Sequence, residues 1–499
     1  MRRSTRAGTT ALAAGMATVL LATSASAAPA PGAPGVGDPY YPGAGNGGYD
    51  VSHYWIDLTY DPATDRLSGS TTIDATATQE LSSFNLDFGL DVSVVTVGGH
   101  PATFVNDAKD PSEVIVTPAR PIPDGDRMRV VVTYSGIPSQ VKVDGRTAWT
   151  RTPSGGLSVN QPRAAEWWFP SNDHPSDKAT YNVSVAVPDG TSALSNGKLL
   201  GRYPQRPGWT TWSWLSSQPQ ASYLAFIALG DFEVHEQTSP RGLPFVTAYD
   251  RALGAQLPIA KQHIETTPRV TDFLASKFGP YPFSELGGVA TSGFGYAIEN
   301  QTRSVYGTSF WSNPDPAWVV AHEVAHQWFG DSVSVATWRE MWLNEGFATY
   351  AEWLWSEQRG KGTADELAQA FYQKYPTEDP FWQVVVSDPG NIFAPAVYER
   401  GAMALHALRK AVGDKAFFAI LGGWHLRKKG THATIAEFTE HAERVSGKQL
   451  DEVFATWIHS KGKPATSPNG PGVATVAAPA SFAAMERLHE EFAAHGHGH

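Results

Sequence analysis

The 499-residue chain contains no cysteine, which excludes disulfides, thiolate metal sites and thiol chemistry. Basic residues are also scarce: 38 Lys and Arg stand against 49 Asp and Glu, a formal charge of -11. An acidic balance of this kind is a poor match for nucleic acid or anionic membranes, and neither is expected as a partner. Beyond the first 27 positions no run of about 18 apolar residues occurs, so no membrane-spanning helix is expected. Aromatic residues, by contrast, are abundant. With 17 Trp and 23 Phe, a chain of this length can bury two separate cores.

The N-terminus has the pattern of an export signal. Arg2, Arg3 and Arg6 precede a small, apolar stretch over 9–22, and Ala25-Ser26-Ala27 ends in a small-x-small cleavage pattern. Cleavage after Ala27 is expected, giving a protein secreted to the extracellular or periplasmic side. Loss of the three arginines makes the formal charge -14. Residues 28–47, rich in Pro, Gly and Ala, read as a flexible lead-in.

From there the pattern is strand-like. Tyr54, Ile56, Leu58 and Tyr60 alternate with polar residues, as do Ile73, Ala75 and Ala77. Further strands are expected near 92–97, 114–116, 128–134, 181–187, 211–214 and 223–228, which makes 48–235 a β-sandwich. Residues 236–464 form a second unit, mostly helical, with helices expected over 256–278, 365–375, 396–412, 415–426, 435–445 and 450–460. Thr434 and Glu437 form a capping-box pair at one start. A linker over 465–480 leads to a short helix with Phe482, Met485, Leu488 and Phe492 on one face. That helix is expected to dock on the body, and the closing His495, His497 and His499 read as a disordered tail.

The densest chemistry lies in 319–331, which holds His322-Glu323-Val324-Ala325-His326. On a helix, His322 and His326 sit one turn apart on one face and can share a metal ion, with Glu323 beside it. Asp315 as N-cap, Pro316 at the first position and Gly330 as a stop support the helix. Two core histidines around a solvated glutamate would carry the same letters. The next segment separates the two readings. Glu345 follows His326 after 18 intervening residues, enough to end one helix, turn, and return on a second that runs to a stop near Gly360. Two imidazoles and a carboxylate, with one position left for water, form the donor set of a catalytic zinc.

These segments resemble the aminopeptidase N family of zinc metallopeptidases, gluzincins that include the leukotriene hydrolase branch. The resemblance rests on His322-Glu323-Val324-Ala325-His326 with Trp342-Leu343-Asn344-Glu345-Gly346-Phe347-Ala348. It is extended by Tyr296-Ala297-Ile298-Glu299-Asn300, by Tyr398-Glu399-Arg400-Gly401-Ala402, and by Trp168-Phe169-Pro170 with Asp173, Pro175 and Lys178. It runs from about 49 to 464. The implied fold is multi-domain α and β, an N-terminal β-sandwich followed by a thermolysin-like α+β, largely helical zinc metallopeptidase domain.

The resemblance implies one Zn2+ per chain on His322, His326 and Glu345, and peptide substrates with a free N-terminus. It implies Glu323 as general base, Tyr398 as hydroxyl donor to the developing oxyanion, and Glu299 as partner of the substrate's α-ammonium. Backbone groups of Tyr296 and Ala297 would align the peptide, and Gln161 would approach from the sandwich. Glu340 is a further expectation, as a partner of a ligand histidine.

The chain departs from the family pattern at Tyr296, where the family has Gly, and at Gln161, which lacks a charge. It is also a short form without the large C-terminal helical domain, from which an open cleft is expected; a monomer is expected as well. A thermolysin-like endopeptidase, epoxide hydrolysis as in the leukotriene branch, and a non-catalytic peptide-binding scaffold stay open as alternatives.

Overall fold

The computed structural model describes residues 28–494, apart from Asp144 and Pro314. The expected signal segment 1–27 and the three terminal histidines lie outside the described residues. Strand Tyr49–Asp61 buries Tyr54, Ile56, Leu58 and Tyr60 on one face and leaves Trp55 and Asp57 on the other, as period-two alternation requires. It pairs antiparallel with Arg66–Ala77, setting Ile56 opposite Thr71. On its other edge it pairs parallel with Lys178–Pro188, where Val183 meets Ile56. These three strands form the centre of an eight-stranded sheet. Strands of two four-stranded sheets, among them Leu81–Asp87 and Ile227–Gly230, pack Phe84, Leu86 and Leu229 into the same core.

The strands do not stop near residue 235. Phe232–Thr238 and Pro244–Asp250 form a hairpin that joins a five-stranded sheet with Leu286–Ala290, Ser304–Tyr306 and Ala297–Ile298. Pro244–Asp250 escaped the sequence reading because it is buried on both faces. A strand covered on both sides loses the polar alternation that would betray it. The single helix expected over 256–278 is two, α1 (Leu257–Ile264) and α2 (Thr267–Phe278), with Pro268 in the first turn of the second. Proline fits there because a first-turn N–H has no partner within the helix.

The remaining helices are α3 (Ala317–His326), α4 (Trp342–Arg359), α5 (Ala364–Lys374), α6 (Pro395–Val412), α7 (Asp414–Lys428), α8 (Ile435–Ser446), α9 (Asp451–Phe454) and α10 (Phe482–Ala494). The Thr434–Glu437 capping box is present: Thr434 N donates to Glu437 Oε2 at 2.9 Å and Glu437 N to Thr434 Oγ1 at 3.2 Å. A second box, Thr363 with Glu366, opens α5. Asp315 is not the N-cap of α3. Pro316 holds that position, and Asp315 pairs with Arg359 at 2.8 Å. Helix α4 does end at Gly360, whose φ of 65° is left-handed and suits glycine.

The sheets are tied to the helices by buried donors on backbone carbonyls. Arg303, fully buried, donates to Gly197 O at 3.1 Å, Val246 O at 3.2 Å and Ser195 O. Lys178 Nζ donates to Asp331 O at 2.6 Å and Ser332 O at 3.1 Å, just past the end of α3. Helices α4 and α6 meet at two glycines: a Cβ on Gly346 would lie 3.0 Å from the Gly401 carbonyl carbon. That close approach sets Glu345 and Tyr398 beside each other.

Candidate metal centre and active site

All ten residues of α3 are buried. Glu323 is therefore not a solvated glutamate; it is 2% exposed. His322 and His326 present their Nε2 atoms to one oxygen of Glu345, Oε2, at 3.2 and 3.4 Å. Three atoms bound to one ion at zinc distances in a tetrahedron stand about 3.3 Å apart, so the spacing fits. The tautomers fit as well. His322 Nδ1 lies 2.7 Å from Glu352 Oε1 and His326 Nδ1 lies 3.0 Å from Phe329 O. Each Nδ1–H is thereby engaged, which leaves each Nε2 lone pair for a metal.

The electrostatics demand a cation. Burial works against charge on His326, but Glu345 and Glu299 outweigh it and raise its pKa well above the usual range. Burial likewise opposes charge on Glu345, and His326 and His322 hold its carboxyl below the usual value. Glu323 is pushed up to about 8 by burial, aided by Glu299 and Glu345 against the two histidines. Its Oε2 is buried without a hydrogen-bond partner among the described residues. Burial, with Glu345 in the same sense, also raises Glu299 against the pull of His326. Three carboxylates around two imidazoles fit a divalent ion better than they fit one another.

Every site residue singled out in the sequence lies near this centre except Glu340. Glu299, Glu323 and His326 each offer a ligand atom within 4.8 Å of the others. The segment carrying Glu299, just past strand Ala297–Ile298, is held to α3 by Gln327, whose Nε2 donates to Glu299 O at 2.8 Å and whose Oε1 accepts from Thr302 N at 2.7 Å. Gln161 Nε2 donates to Glu299 Oε1 at 3.3 Å, and the Tyr223 hydroxyl donates to the same oxygen at 3.1 Å. Tyr398 stacks its ring 6.2 Å from that of His322. Burial and the nearby carboxylates raise its pKa well above 10, so it keeps its O–H as a donor.

Ala297 lines the metal cavity together with Glu299, Glu323, Glu345 and Tyr398. Tyr296 turns its side chain the other way, its hydroxyl donating to Val159 O at 3.3 Å. Glu340 accepts from Ile435 N at 3.2 Å, at the start of α8, and does not serve a ligand histidine. That place is taken by Glu352, seven residues beyond Glu345 and so on the same face of α4. Helical spacing could have found it.

An open cleft was expected, and the structure shows the opposite. Phe492 of α10 places its ring 4.8 Å from that of His322 and 6.0 Å from that of Tyr398. What remains of the cavity is about 10 Å³, room for roughly one water. His489, on the same helix, sits between Glu352 and Glu399, at 3.1 Å from each. No pattern in the sequence could have joined these residues, because the partners lie 137 and 90 positions apart.

Comparison with known proteins agrees with this geometry. The Peptidase M1 N-terminal domain model matches residues 50–224 and the Peptidase family M1 domain model matches 263–457. A two-domain M1 zinc metallopeptidase solved with L-tryptophan is 30% identical, with a TM-score of 0.75 over 86% of this chain and 98% of that one.

The chain belongs to peptidase family M1.

An M1 zinc metallopeptidase structure from Deinococcus radiodurans is 29% identical, with a TM-score of 0.76 over 88% of this chain and all of that one. Among curated relatives, glutamyl aminopeptidase of Rattus norvegicus is 29% identical over 351 residues, 65% of this chain. Only 37% of that protein is matched, so this M1 chain spans about a third of the length of such relatives. The His322–His326–Glu345 set is the zinc site of this M1 peptidase. Among the described residues no helix is long and apolar enough to cross a membrane.

Proposed function

We propose that this chain is a zinc aminopeptidase that removes the first residue of peptides, with Glu323 as the base. The observation that carries the reading is the carboxylate of Glu299 within 4.8 Å of Glu323 and His326. In any amino acid the α-nitrogen and the carbonyl carbon are about 2.5 Å apart. A carboxylate that grips an α-ammonium this close to the metal ligands therefore puts the first peptide bond, and no other, at the reacting centre.

The chemistry follows from the chain's own groups. His322, His326 and Glu345 would hold the zinc, which would supply Lewis-acid polarisation of the peptide carbonyl and acidify a water. Glu323, through its unpartnered Oε2, takes the proton of the attacking water and hands it to the departing amine. The Tyr398 hydroxyl donates to the carbonyl oxygen as charge builds there. Glu299, steadied by Tyr223 and Gln161, holds the ammonium. Gln161 adds no charge, so the ionic contact rests on Glu299. Ala297, at the edge of the five-stranded sheet, is placed to align the substrate backbone as an added strand.

Relatives support the reading. Those with curated names are aminopeptidases, and a Deinococcus radiodurans neighbour was solved with the substrate Tyr-Ser-Ala, whose free amine is what Glu299 would meet. The test compares one peptide with a free and an acetylated N-terminus, with Glu323→Gln as control. Cleavage of the free form only, abolished in the control, is the expected result. Equal cleavage of both forms would establish an endopeptidase and remove Glu299 from its role. Export is part of the same proposal, supported by the signal-like pattern of 1–27. N-terminal sequencing of the protein from the medium or periplasm should begin at Ala28.

A further inference from the structure

We infer that α10 is an intramolecular stopper of the active site, with Phe492 as the plug and His489 as the anchor. The inference rests on the zinc aminopeptidase reading for what the site acts on. Met485, Leu488 and Phe492 recur at helical spacing and are 0, 2 and 5% exposed, so one face of α10 is fully committed to the body. Phe492 is packed against Phe310, with ring centroids 5.7 Å apart, and against His322 and Tyr398. It shares its cavity with the base, the ammonium carboxylate and all three zinc ligands.

The volumes decide between wall and plug. Small-molecule sites run from about 300 Å³ upward, and here about 10 Å³ remains. No peptide terminus fits until something leaves. The other sides of the cavity are α3, α4, α6 and the segment 297–299. These are joined by the Gln327 bridge and the Gly346–Gly401 contact. Helix α10 is attached differently. It enters from an exposed stretch over 471–475 and is held by the side chains of one face and a backbone bond at Ser481.

Those contacts explain why it docks in register. His489 lies between the carboxylates of Glu352 and Glu399 at 3.1 Å from each, and its ring stacks 5.4 Å from Phe371. Lys374 pairs with Glu399 at 3.2 Å and with Glu486 of α10 at 3.5 Å. At the start of the helix Ser481 Oγ meets Ser356 Oγ at 2.8 Å and Ser481 N donates to Lys361 O at 3.1 Å. His489 thus fixes the turn of α10 that aims Phe492 at the metal ligands. The plug presents a side chain only; it brings no free amine to Glu299 and is not itself a substrate.

A tethered plug is present at a high effective concentration, and a single cut in the tether turns it into a dilutable ligand. Activity follows the open fraction. The experiment uses the full chain with a protease recognition sequence inserted within 472–478. Two quantities are read before and after cutting: kcat/KM on a substrate with a free N-terminus, and the rate of zinc loss to a chelator. Phe492→Ala in the uncut chain is the parallel variant.

Cutting should raise both readings at least about tenfold. Removing the buried ring should raise them about ten- to a hundred-fold. A synthetic peptide spanning 481–494 should restore the low rate of the cut enzyme in competition with substrate. If neither cutting nor Phe492→Ala raises kcat/KM or zinc loss, α10 is a fixed wall and the inference is wrong. Absence of hydrolysis in every form, cut included, would overturn the aminopeptidase reading instead. Zinc loss then decides on α10 by itself: faster release after cutting supports the stopper, and equal release rejects it.

Discussion

Replacing Glu352 by Gln probes how the zinc site is held. Glu352 Oε1 accepts from His322 Nδ1–H at 2.7 Å, and its carboxylate also receives His489 Nε2 at 3.1 Å. Burial works against its charge, but His489 and His322 hold its pKa below the usual value, so it is ionised. Gln keeps one acceptor oxygen and turns the other position into an N–H donor. It can satisfy His322 or His489, and one N–H then faces another. The bond that fixes the His322 tautomer changes from charge-assisted to neutral, losing roughly half its strength.

Loss of such a partner costs about 10–100-fold in metal affinity, or about 1.4–2.7 kcal/mol. The assay is competition for zinc against a fluorescent chelator, with a thermal melt to show that the variant is folded. Combining Glu352→Gln with His489→Leu should shrink the loss, because the competing donor is gone; coupling between contacting residues runs about 0.5–3 kcal/mol. A zinc Kd within twofold of the parent in a folded Glu352→Gln chain would refute the reasoning.

Glu323→Gln should bind zinc and lose at least about a hundredfold in kcat, since the proposed base is removed and the ligands are not; a metal assay alongside the rate checks both. Gly346→Ala or Gly401→Ala should force α4 and α6 apart, because each new methyl meets backbone at 3.0–3.1 Å. A melt should show a loss of about 1–3 kcal/mol, with activity falling further as Glu345 and Tyr398 separate.

The docking of α10 should weaken with rising pH. Burial opposes charge on His489, yet Glu352 from α4 and Glu399 from α6 raise it from 6.5 to about 9; Lys374 of α5 pairs with Glu399 and Glu486 beside it. A folded pKa above the unfolded one gives stabilisation that is complete below pH 6.5 and lost as pH rises through about 9. Its ceiling is about 3 kcal/mol. Amide-exchange protection of 485–492, corrected for intrinsic rates, should fall across that window, and flat protection would contradict the assignment. Chelating the zinc should lower the melting temperature, since the ion binds only the folded chain.

The zinc ligands were legible from spacing alone. His322 and His326 one turn apart and Glu345 after a turn's worth of residues are local facts, and helix geometry converts them directly into a cluster. The alternating strand Tyr49–Asp61 and the Thr434–Glu437 cap were legible for the same reason: each is a regularity within a dozen residues. Glu299, Tyr398 and Gln161 became candidates only through resemblance, because nothing local distinguishes a buried Tyr on a helix from a hydroxyl donor.

Pro244–Asp250 was hidden by burial on both faces, and Glu340 was favoured over Glu352 by mere proximity to Glu345 in the chain. The closed state of the cleft had no trace in any window. It depends on Phe492 and His489 returning to residues about 90 to 170 positions earlier, and only packing in three dimensions can make that choice. Local periodicity decides which residues share a face of a helix or strand; which faces meet is decided by the competition of all buried surfaces at once.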